Sequence, residues 1–182
     1  MKDTRYKIQD TKAWGFTLIE MVIVIGILAI LAGMLLAIVN PREQIMKAND
    51  ARRKEDLAQV QRGLEQYYAD RGQYPTNSPS NNGLPYRIED FNGNVVNWGT
   101  SWAPYMNLLP KDPDGTKQYV YFSSADHQKF WLYARIDRGE RDPKACDSGS
   151  PCQSMAPNGV SATSCGGGGV CNYGISSPNT TP

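Results

Sequence analysis

Three patterns of apolar and polar positions follow one another along the chain. In the first, positions 21–39 carry no charged or strongly polar side chain, and apolar character reaches back to Phe16. A helix over 16–39 would measure about 36 Å at about 1.5 Å per residue, against a hydrocarbon core of about 30 Å. Being apolar on every face, it suits lipid better than a protein core. Lys2, Arg5, Lys7 and Lys12 precede it, as in a secretory signal peptide. Signal peptides, however, have an apolar region of about 7–15 residues and an A-x-A-like cleavage site. Leu36-Ala37-Ile38-Val39-Asn40-Pro41 offers no such site.

The second pattern begins at Asn40. Leu57, Val60, Leu64, Tyr67 and Tyr68 recur at steps of three and four, with Arg52, Arg53, Glu55, Asp56, Gln59, Arg62 and Glu65 between them. This predicts an amphipathic helix over 40–75 whose apolar stripe faces a core and whose charges face water. Asn40 suits the N-cap, Pro41 the first turn and Glu43 the third position after the cap. At Pro41 the apolar helix therefore either kinks or stops and restarts. Gly72 and Pro75 end the second helix. Taken from 16 to 68, the two halves would make a nearly continuous rod of about 80 Å.

The third pattern is short and turn-rich. Residues 76–117 hold Asn-Asn-Gly, Asn-Gly-Asn, Trp-Gly and Asp-Pro-Asp-Gly, the marks of an irregular connection, with one short helical turn expected over 101–109. Residues 118–122 and 129–136 are aromatic and β-branched, and read as an antiparallel hairpin within about 118–136. Phe130, Leu132, Ala134 and Ile136 alternate onto one face, which should cover the helix stripe. The fold class is α+β, with a long N-terminal helix packed on a small antiparallel sheet and an irregular Cys-containing tail.

Composition sharpens this picture. A chain of 182 residues fits one domain, and a net charge of +1 excludes charge-driven binding to nucleic acid. All four cysteines, Cys146, Cys152, Cys165 and Cys171, lie in a 146–182 tail rich in Gly, Ser, Pro and Asn. That tail has too few apolar residues to build a core by itself. The spacing C-x5-C, x12, C-x5-C is wider than zinc pairs use, so disulfides in an oxidising compartment are expected. Three connectivities are open, and Gly166 to Gly169 would let Cys165 fold back on Cys171.

Candidate catalytic chemistry is sparse. His127, the sole histidine, falls in the hairpin turn with no nucleophile beside it. A membrane-anchored extracytoplasmic enzyme or metal-binding domain is the competing class, and the lack of a His, Cys or carboxylate constellation counts against it. Asp112-Pro113-Asp114-Gly115 opens like a calcium loop, but the twelfth position holds Ser123 instead of a bidentate Glu. Asn179-Thr180-Thr181 matches a glycosylation sequon. Glu20 stands out, because a carboxylate inside a spanning segment costs up to about 2.5–3.5 kcal/mol and usually has a functional partner.

Gly15-Phe16-Thr17-Leu18-Ile19-Glu20, with basic residues before it and the apolar run after it, resembles the processing signature of type IV prepilins and type II secretion pseudopilins. The stretch 51–75 and Leu109-Pro110-Lys111-Asp112-Pro113-Asp114-Gly115 resemble the major pseudopilin branch. The resemblance implies a leader 1–15, cut by prepilin peptidase between Gly15 and Phe16, with N-methylation of Phe16. It implies a transmembrane helix 16–39, an extracytoplasmic head 76–182 and a cytoplasmic N-terminus in the inner membrane. Glu20 would pair with the Phe16 amine of a neighbour as identical or related subunits meet at an inner-membrane assembly platform. The product would be a type II secretion pseudopilus or a type IV pilus-like filament, not an enzyme. Some members bind calcium near this part of the chain, which makes Asp112 and Asp114 candidate ligands; no other cofactor is implied. The Cys-rich tail departs from the usual pseudopilin.

Overall fold

A computed structural model describes residues 15–38, 40–78 and 86–182. The expected leader up to residue 14, Val39 and part of the 76–117 connection lie outside the described residues. Two helices, α1 (Leu18–Ile38) and α2 (Pro41–Arg71), precede three strands, β1 (Val120–Ser123), β2 (Phe130–Ala134) and β3 (Tyr173–Ser176). Short 3-10 turns occupy Gly139–Arg141 and Cys146–Gly149. The chain divides into an N-terminal unit holding α1 and a head unit, Arg42–Pro182.

In the N-terminal unit, α1 has 21 residues, about 32 Å of helix. Its stretch Leu18–Leu35 is long and apolar enough to cross a membrane, and none of it is buried within the protein. α1 is described as far as Ile38, and Pro41 is the first residue of α2. The missing proline amide is tolerated there, because first-turn amides have no intrahelical acceptor. At its far end α2 closes with Gly72 in the left-handed region, φ 71°, its amide donating to the Tyr68 carbonyl at 2.7 Å.

In the head, Leu57, Val60 and Leu64 are fully buried and Tyr67 nearly so, in one core with Tyr119, Tyr121, Phe130, Leu132, Ala134 and Ile136. The expected face of β2 does meet the helix stripe. Segment 101–109 is not a helical turn. Trp102 and Met106 exchange backbone hydrogen bonds of 2.9 and 2.8 Å around the cis Ala103–Pro104 bond, forming a tight reverse turn. That turn presses Met106 and Trp102 onto α2 at Gly63, where a Cβ would stand 3.0 Å from Met106 Cγ.

The sheet is antiparallel in the order β1-β2-β3, with Val120 opposite Tyr133 and Leu132 opposite Ile175. The strands of the hairpin are shorter than the apolar runs suggest, because the tail takes over their ends. Gln118 donates its amide to the Cys165 carbonyl, and the Asn172 side chain both accepts from the Ile136 amide and donates to its carbonyl. His127 carries the hairpin turn with φ 54°, its amide bonded to the Ser124 carbonyl.

The tail builds its core from the outer face of the sheet. Val120, Trp131 and Tyr133 pack with Cys152, Met155, Val160, Cys165 and Cys171. Disulfides join Cys146 to Cys152 and Cys165 to Cys171. The tail also supplies β3, where Gly174 lets the chain pass under Pro182 and against Tyr133. Pro182 and Thr181 close over the face, the Thr181 carbonyl accepting from the Trp131 indole at 2.9 Å.

Thiol counting on the denatured, unreduced chain should find no free cysteine, and peptide mapping should find Cys146 linked to Cys152 and Cys165 to Cys171. Each bridge closes a short loop and should contribute about 2 kcal/mol, so Cys165→Ser with Cys171→Ser should lower the unfolding midpoint. A crossed pair such as Cys146–Cys171 would contradict this fold.

Candidate assembly site

The start of α1 brings Gly15, Phe16 and Glu20 together. The Glu20 amide donates to Thr17 Oγ1 at 3.2 Å, and the Thr17 amide donates to Glu20 Oε2 at 3.4 Å. This reciprocal pair is a capping box, Thr17 at the N-cap and Glu20 at the third helical position. It also sets the carboxylate at the positive end of the helix dipole. Phe16 is 75 % exposed, and a Cβ at Gly15 would meet nothing within 4 Å. Among the described residues, nothing in the packing calls for glycine there. Among the described residues the Glu20 carboxylate accepts a long bond from a neutral amide, and an ammonium group would bind it more strongly.

In the head, the feature that fixes α2 to the rest is a buried guanidinium. Arg53 has no solvent-exposed surface. Its Nε and Nη2 donate to the two Asp112 oxygens at 2.9 and 3.1 Å. Its Nη1 donates to Asp50 Oδ1 at 2.9 Å and to Asp137 Oδ2 at 2.8 Å. Asp50 in turn accepts from the backbone amides of Asp137 and Arg138, at 2.7 and 2.9 Å. The Lys117 ammonium, also buried, pairs with Asp137. Nearby, the Tyr119 hydroxyl donates to Asp56 Oδ2 at 2.7 Å. Glu43, in the first turn of α2, pairs with Arg141.

Electrostatics follow from these contacts. Burial opposes ionisation of Asp137, but hydrogen bonds and charge from Lys117 and Arg53 outweigh it and hold its carboxyl below the ordinary range. At Asp56 burial wins over the Tyr119 hydrogen bond, so that carboxyl titrates higher than usual. Burial would lower the Arg53 pKa, yet the Asp112 and Asp137 hydrogen bonds raise it. The guanidinium stays charged at every accessible pH.

The family model for type II secretion system (T2SS), protein G matches residues 41–146. The chain belongs to this family. Type II secretion system core protein G of Escherichia coli strain K12 is 30% identical over 129 residues, covering 71% of this chain and 85% of that protein. The core protein G of Pseudomonas aeruginosa is 33% identical over 122 residues, covering 66% and 80% respectively. No solved structure matches the chain. The region matched to protein G holds α2, β1, β2 and every member of the Arg53 cluster, while the tail beyond Cys146, with β3, lies outside it.

Pattern reading placed Arg53 and Asp56 on a solvated face, and the structure corrects this. Arg53 lies four residues before Leu57 and Asp56 four before Val60, so both fall on the buried side of α2. The register of the stripe, extended one turn backwards, is the signal that finds them. His127 does not line the cavity of about 530 Å³ bounded by Glu43, Arg135, Arg138, Arg141 and Asn172 among others.

Arg53→Met should cost about 3–5 kcal/mol, because it leaves buried carboxylates without a counter-charge. The pH dependence has a defined sign. The depressed Asp137 carboxyl contributes stability above the unfolded value, about 3.9, which is lost as pH falls through the folded one. Asp56 runs the other way, since its protonation relieves a burial cost. Chemical denaturation from pH 7 to 2 should show a net loss below about pH 4, and Asp137→Asn should flatten it. An unchanged acid profile in that variant would refute the assignment.

Proposed function

We propose that the chain is a structural subunit of a type II secretion pseudopilus. It would be made as a membrane precursor, processed by prepilin peptidase between Gly15 and Phe16, methylated at Phe16, and assembled with identical or related subunits at an inner-membrane platform. The observation that carries this is the placing of one carboxylate, Glu20, at the head of an unburied apolar helix, in a chain whose next segment matches protein G.

Cutting after Gly15 makes an ammonium group at Phe16, at the head of the same apolar segment. Glu20 then has a choice of partner. In the single chain it caps its own helix through Thr17; in a filament, the Phe16 amine of a neighbour offers it a charge-assisted bond in a low-dielectric bundle. Pairing removes two unpaired ions at once and sets the stagger between subunits. Orientation rests on the disulfides. Bridges in the head suit a compartment outside the reducing cytoplasm, which supports the reading of an N-terminus inside. Charge alone does not choose, because Arg42, Lys47, Arg52, Arg53 and Lys54 follow the span as basic residues precede it.

Glu20→Ala should leave insertion and cleavage intact, since it removes a charge from an apolar helix. Assembly should fail, with mature subunit retained in the membrane and sheared filaments lost, because an unpaired buried ammonium costs about 3–5 kcal/mol. Wild-type filament yield from Glu20→Ala subunits alone would refute the intersubunit role. Gly15→Val, which meets no steric obstacle among the described residues, should accumulate precursor.

A further inference from the structure

We infer that Arg53 is the built-in cation of the 112–117 loop, standing where the family resemblance would put calcium, so that this head holds its shape without a divalent ion. The inference concerns the head alone, and it stands or falls separately from the filament reading.

The loop has the carboxylates of a cation site, and each of them is already committed. Asp112, its side chain fully buried, gives Oδ2 to Arg53 Nε, and Oδ1 to Arg53 Nη2 and to the Asp114 amide at 2.8 Å. Asp114 spends Oδ1 on the Thr116 amide and hydroxyl, at 3.0 and 2.8 Å, and turns Oδ2 toward the Lys117 ammonium at 3.6 Å. Asp137 divides its oxygens between Arg53 and Lys117. Asp50 faces Arg53 from the other side and takes two backbone amides.

The geometry is that of a planar fork, not of a sphere. Calcium draws six to eight oxygens to about 2.3–2.6 Å from one point. Here Asp112 lies along one edge of the guanidinium while Asp50 and Asp137 meet at Nη1, so the carboxylates are held apart by the width of the fork. A calcium ion among them would also stand beside two fixed positive charges, Arg53 and Lys117. Among the described residues, no group of three or more His, Cys, Asp or Glu side chains is arranged to hold a metal ion. The residues present therefore do not fit the metal that the resemblance implies. They fit a cation tethered to α2, which ties the loop to the helix as the chain folds.

The test is thermal unfolding of the full chain in detergent micelles, in excess EDTA and in millimolar calcium chloride, together with a double-mutant cycle. The midpoint of the native chain should be the same in both buffers. A midpoint raised by calcium or lowered by EDTA would overturn the inference. In the cycle, Arg53→Met and Asp112→Asn should each lower the midpoint, and the double variant should lose much less than the sum of the two. Additive losses would show that Arg53 is not the cation of this loop. If Arg53→Met does not fold, Arg53→Lys replaces it in the cycle, keeping the charge and losing the fork.

Discussion

One guanidinium holds three separate stretches of the chain. Arg53 on α2 meets Asp112 from the long connection and Asp137 just past β2, and its helix neighbour Asp50 takes the amides of Asp137 and Arg138. A buried ion cluster of this kind contributes little net stability over an apolar packing of equal volume. Its strength lies in what it forbids. Any shift of the loop or the sheet along α2 would leave a carboxylate or the guanidinium buried and alone, so the arrangement of the head is restricted to one register. The apolar stripe Leu57, Val60, Leu64 and Tyr67 supplies the burial energy, and the cluster selects which faces meet.

With β2 fixed against α2, the opposite face of the sheet becomes the template for the tail. Trp131 and Tyr133 point away from the helix core, and the stapled segments carrying Cys152, Met155 and Cys165 cover them. The head is therefore layered as helix, sheet and disulfide-bearing tail. The protein G region contributes the helix, the first two strands and the charge cluster, and the tail adds the third strand beyond that region. The two bridges give that tail covalent reinforcement in an oxidising compartment, where disulfides persist.

Elements with a local period were legible in the sequence. The apolar run, the stripe at steps of three and four and the Phe130 to Ile136 alternation need no knowledge of distant partners, and each appears where expected. Arg53 was misplaced because an arginine defaults to water unless distant carboxylates meet it, and Asp112 and Asp137 lie 59 and 84 residues away. β3 was missed because Tyr173-Gly174-Ile175-Ser176 is too short to carry a period, and it is a strand only because β2 offers it an edge. The turn at Trp102 and Met106 depends on a backbone exchange around Pro104 that composition does not reveal. At the start of α1, Gly15, Phe16 and Glu20 form a sequence motif, and the Thr17 capping box carries its usual sign, a threonine three residues before a glutamate.

A filament subunit joins these parts: a head locked to its helix, an apolar segment with one carboxylate, and a glycine whose packing among the described residues does not require it. What it requires of the molecule is a new amino terminus at Phe16. Intact-mass measurement with N-terminal sequencing, on subunits recovered from sheared filaments, tests this most directly. The predicted result is a chain that begins at Phe16, carries one added methyl group and keeps both disulfides; a chain that still begins at Met1, or is cut at another join, would contradict it.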